Sequence, residues 1–146
     1  MTAKEYLRQI KLLDEKIKHR MQEQEEIRQM AMSTGALTYD ADKVQTSLSG
    51  DSRQLRLIEK AADMDAEIQR MVDDLIDLKH RIIGEIHQLD DERYIRILFD
   101  RYVEGVPLRT IAANIGYEYK WLCRLHGYAL SEFASLVLKT TRPNTI

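Results

Sequence analysis

Cysteine is almost missing from this chain of 146 residues, and the single one, Cys123, leaves no internal disulfide to be made. That scarcity fits a reducing cytoplasm. Proline (two) and glycine (six) are also sparse, which suits an all-helical protein and leaves few turns for a many-stranded one. No apolar run approaches the ~20 residues that span a bilayer. The opening residues MTAKEYLRQIK hold no apolar signal core, so no membrane partner is expected. Glycine-rich phosphate loops, nucleophile elbows and paired-histidine zinc motifs are missing. The acidic pairs fall on charged helical faces with no pocket to work in. No enzyme and no cofactor are expected. His80 and His87 stand near Asp73, Asp74 and Asp77, but no Cys/His cluster at zinc spacing supports a metal site.

An excess of one charge is missing too: the net charge is −2. Its distribution is uneven. From Gly105 onward five Lys/Arg face two acids, whereas residues 51–89 carry six basic and nine acidic side chains. The small positive excess therefore sits toward the C-terminal end.

What the chain does have is helical periodicity. Thr2 and Glu5 have capping-box spacing. Tyr6, Ile10, Leu13, Ile17, Met21 and Ile27 then recur every three or four residues. The pattern predicts a long amphipathic helix to about Met32. Residues 33–52, STGALTYDADKVQTSLSGDS, break the period and are expected to form a flexible connector. A second long helix is expected from about Arg53 to Leu89, with Ile58, Ala62, Ile68, Val72, Leu75, Ile82, Ile86 and Leu89 as its stripe. Gln24 and Asp65 interrupt the two stripes. Stripes this narrow bury each other as an antiparallel hairpin, a coiled coil, or pair with a second copy of the chain as a homodimer.

The C-terminal part, residues 90–140, is punctuated differently. Asp90 and Asp91 start a third helix, with Tyr94, Ile95, Leu98, Phe99 and Tyr102 on its apolar side. It stops near Gly105, and Pro107 opens the next helix. Within GVPLRTIAANIGYEYKWLCRLHGYAL, Leu108, Ile111, Ala112 and Ile115 share one face. Gly116 supplies the turn. Leu122, Leu125 and Ala129 share a face of the helix that follows, expected over Glu118–Leu138. This is the spacing of a helix-turn-helix, whose second helix can lie in the major groove of DNA. His126 is expected at the surface of that helix. The tail 141–146 is expected to fray.

The stretch LFDRYVEGVPLRTIAANIGYEYKWLCRLHGYAL resembles region 4 of sigma-70-type factors. The match runs through Arg101-Tyr102, Gly105, Ile111-Ala112, Ile115-Gly116, Leu122, Leu125 and Ala129-Leu130. Over nearly its whole length the chain is similar to a family of small phage and prophage proteins of Gram-positive bacteria, with an N-terminal coiled coil before a region-4-like helix-turn-helix. The resemblance implies a transcriptional regulator of phage type that binds promoter or operator double-stranded DNA, with RNA polymerase as a further partner. Carried over, the reading positions are Tyr119, Lys120, Cys123 and Arg124, with Arg109 and Thr110 clamping backbone phosphates. Cys123 departs from the sigma-factor pattern, where a base-reading arginine is common. Trp121 replaces a usually charged residue, which implies packing against the third helix. Pro107 replaces a hydroxyl cap. Two other readings stay open. Small terminase subunits of phages share the architecture by analogy, and a protein-interaction adaptor would use the same surface without touching DNA.

Overall fold

The computed structural model describes residues 1–37 and 46–139, and among these every regular element is a helix. The elements are α1 (Ala3–Leu7), α2 (Gln9–Leu37), α3 (Thr46–Ile86), α4 (Glu92–Leu98), α5 (Leu108–Ile115) and α6 (Tyr119–Phe133). Wide π turns extend α4 over Phe99–Val103 and α6 over Ala134–Leu138. Among the described residues no helix is long and apolar enough to cross a membrane.

Two of these boundaries differ from the sequence expectation. Helix α2 runs on to Leu37 and α3 begins at Thr46, so the loss of apolar period at Ser33 is not a helix end. Ser, Thr and Gly are tolerated within a helix at a cost of fractions of a kcal/mol each to about 1 kcal/mol. The middle of the expected connector and the tail 141–146 lie outside the described residues.

The contacts divide the chain into two compact units, and the divisions fall within the long helices rather than after Leu89. Residues 1–13 belong with the chain from Leu75 onward, and Asp14–Asp74 form the other unit.

In the first unit, Thr2 caps α1 as its spacing with Glu5 predicts. The Glu5 amide donates to Thr2 Oγ1 (3.2 Å), and the Thr2 amide donates to Glu5 Oε2 (2.9 Å). Leu7, Ile82, Ile86, Leu98, Ala129 and Phe133 form the centre of a core that draws on α1, α3, α4 and α6. Each large apolar side chain buried this way stabilises the fold by about 1.5–3 kcal/mol. Tyr6 closes the edge, its hydroxyl donating to Glu85 (2.5 Å) and its ring 5.9 Å from that of Phe133.

In the second unit, α2 and α3 pair with residue numbers rising on one as they fall on the other. Arg20 meets Glu67 (3.0 Å), Gln24 Nε2 donates to the Ala61 carbonyl (2.8 Å) and to Asp65 (2.5 Å), and Gln54 Nε2 donates to the Ala31 carbonyl (3.1 Å). Ile27, Ala61 and Met64 are buried, with Leu57 and Ile68 packed against them. At its N-terminal end the α3 stripe is offset by one residue from the expected one, since Leu57 and Ala61 face inward while Ile58 is 51% exposed; from Ile68 onward expected stripe residues do pack inward. Met21, assigned to the α2 stripe by its spacing, is 53% exposed.

Candidate nucleic-acid interface

Helix α5 starts at Pro107, whose φ of −61° and ψ of 146° place it just outside the helix, with no side-chain cap. Ile111 and Ala112 turn inward. Gly116 ends the helix in the left-handed conformation (φ 83°, ψ 29°). The Ala112 carbonyl accepts both the Gly116 and the Tyr117 amides at 2.9 Å, which satisfies the end of the helix within the turn. After three intervening residues, Gly116, Tyr117 and Glu118, the chain is helical again at Tyr119. Glu118 precedes α6 with no side-chain cap, so the first amides of α6 have no side-chain acceptor. Such an end carries partial positive charge and suits an anion.

A second core holds α5 against α6. Ile111, Ala112, Leu122 and Leu125 are buried together, and Ile97 of α4 is buried among them with no exposure at all. The sequence pattern puts Leu98 but not Ile97 on the apolar side of α4. The structure gives α4 two apolar faces, Leu98 toward the first core and Ile97 toward the second. Two adjacent apolar residues on a short helix were the available signal.

With the inner face fixed, the outer face of α6 follows from helical steps of 100° per residue. Lys120 and Arg124 lie one turn apart on it and both are exposed. Neither has a carboxylate partner among the described residues. Between Leu108 and Arg124 the only acid is Glu118. Arg109 and Tyr119 meet, the guanidinium lying 4.5 Å from the ring centroid. That cation–π contact, worth about 0.5–1 kcal/mol at an exposed site, fixes a positive charge at the α5–α6 boundary. Thr110 is exposed on α5, and Cys123 is a free, half-buried thiol on the flank of the α6 outer face. Of the six expected residues, the structure joins Arg109 to Tyr119 and groups Lys120 with Arg124.

Trp121 is 40% exposed and is not among the buried residues of either core. One neighbour differs from expectation: His126 is not a surface side chain. It is half-buried, its ring stacked 5.8 Å from that of Tyr102, with Nε2 2.9 Å from the Tyr102 hydroxyl. Burial pushes the Tyr102 hydroxyl above its ordinary pKa, and which of the two groups donates follows from the imidazole tautomer. Burial first, and then the charges of Arg101 and Lys4, push the pKa of His126 below its ordinary value.

This pair makes the fold pH-sensitive. The unfolded chain takes a proton onto this histidine near pH 6.5, while the folded chain does so only at lower pH. The stability that neutral His126 contributes is therefore complete above about pH 6.5 and is lost as pH falls through the lower, folded-state value. Urea midpoints are expected to stay level from about pH 8 to pH 7 and to decline below about 6.5. In His126→Gln part of that decline is expected to disappear, and an unchanged pH profile would remove His126 from the account.

Among the described residues no group of three or more His, Cys, Asp or Glu side chains converges as a metal site would require. No protein-family model, curated protein or solved structure matches this chain. The likeness to region 4 rests on the residues quoted above.

Proposed function

We propose that this chain is a DNA-binding transcriptional regulator of phage type, in which α5 and α6 act as a helix-turn-helix and α6 enters the major groove of promoter or operator DNA. The observation that carries this reading is the pair Lys120 and Arg124, exposed one turn apart without a carboxylate to neutralise them. A solvated surface helix ordinarily mixes charges of both signs. The uncapped first turn of α6 and the Arg109–Tyr119 contact support the same reading, since both offer positive charge to phosphate at the edge of the helix. In this reading α2 and α3 are an antiparallel helical hairpin. Its exposed Met32, Leu55 and Ile58 suit pairing with a second copy. A dimer would double the phosphate contacts available to a chain with few cations. Contact with RNA polymerase is supported by the resemblance to region 4.

The test is a gel shift with a duplex enriched from a random pool. Lys120→Ala and Arg124→Ala are each expected to cost about 1–3 kcal/mol where the side chain reads a base edge, and less where it meets phosphate. Both should flatten the dependence of affinity on salt. Wild-type affinity in the double variant would end the proposal.

A further inference from the structure

Trp121 is the sole tryptophan of the chain, and it is 40% exposed. It stands in the first turn of α6, outside both cores, between Lys120 and the buried Leu122. Leaving a large apolar ring 40% in water forgoes the burial that the same ring would gain a few residues away. Along the helix Arg124 follows at three residues and Tyr128, also exposed, at seven, so the two rings share one flank of the outer face roughly 10 Å apart.

We infer that Trp121 is a specificity-determining residue that reads thymine. The inference rests on the proposed docking of α6 in the major groove. In that pose the first-turn side chains point at base edges, and later ones move out toward the backbone. Lys120 and Arg124 lie together on one side of the indole and anchor the helix through phosphate or guanine contacts. An indole carries no charge to offer phosphate. The apolar group that base pairs present in the major groove is the C5-methyl of thymine. The chemical match of Trp121 is that methyl, and the position of Cys123, half-buried on the opposite flank, leaves the indole as the larger apolar contact at this end of the helix.

The test removes one methyl and nothing else. A preferred duplex is selected from a random pool with the full chain at low salt, then remade with 2′-deoxyuridine in place of each thymine in turn. One or two positions are expected to weaken binding roughly fourfold, the worth of about one buried methyl group. That penalty should vanish in Trp121→Ala, shrink in Trp121→Phe and persist in Tyr128→Ala. Trp121 fluorescence is expected to change on addition of the duplex. A cooperative thermal melt with wild-type helical content shows each variant to be folded. Indifference to every deoxyuridine, a penalty unchanged in Trp121→Ala, or a pool retained without sequence preference overturns the inference and leaves DNA binding standing. A chain that retains no duplex at all overturns the docking reading and this inference with it.

Discussion

Phe133→Ala is expected to cost about 3–5 kcal/mol of stability, the range for emptying the site of a fully buried aromatic ring. The ring has no exposure and lies where α1, α3, α4 and α6 converge, among Leu7, Ile82, Ile86 and Leu98. Its contact with Tyr6 reaches the edge of that core. The neighbours come from four elements that differ widely in sequence, so they cannot all close on the void at once, and part of the cavity should remain. Domains of this size hold only about 5–15 kcal/mol in total, so the loss takes a large share of it. Urea denaturation followed by circular dichroism measures it. A loss below about 1 kcal/mol would mean that the four elements do not depend on this ring.

Ile97→Ala is expected to cost about 2–5 kcal/mol, and its damage should be directed. Ile97 is the α4 contribution to the core beneath α5 and α6, where it meets Ile111, Ala112, Leu122 and Leu125. Removing it opens a cavity under the outer face that carries Lys120 and Arg124. Amide hydrogen exchange is therefore expected to speed up in α5 and the first turns of α6 beyond what the change in global stability explains. Duplex affinity should fall although no DNA-facing side chain has been altered. Exchange that rises evenly through the chain would show that α4 does not specifically support the α5–α6 pair.

These two residues also mark where sequence reasoning was sufficient and where it was not. Local chemistry was legible. The Thr2–Glu5 capping box, the N-terminal Asp91, the helix-opening Pro107 and the left-handed Gly116 each depend on residues within a few positions of one another. Choices that depend on a distant partner were not. At 57–58 and again at 61–62 the chain offers two apolar stripes one residue apart, and either satisfies a helical period. The amide of Gln24, 37 residues away, bonds to the Ala61 carbonyl and favours the stripe of Leu57 and Ala61. Ile97 was missed because α4 serves two cores, and a single-stripe template keeps only one. His126 was misjudged because its partner, Tyr102, lies 24 residues back in another helix. At the candidate interface the cationic pair of α6 was legible from its spacing, but the exposure of Trp121 was not.

The amide of Gln24 has a consequence for how the two long helices can move. It bonds to Asp65 as well as to the Ala61 carbonyl. Sliding α3 by one heptad would bring Ile58 or Val72 to the place of Asp65, and neither side chain can accept a hydrogen bond. Any such slip would give up the bond to Asp65, worth about 1 kcal/mol. The helix pair is keyed like a lock with a single notch, so a longitudinal displacement of one helix must carry the other along.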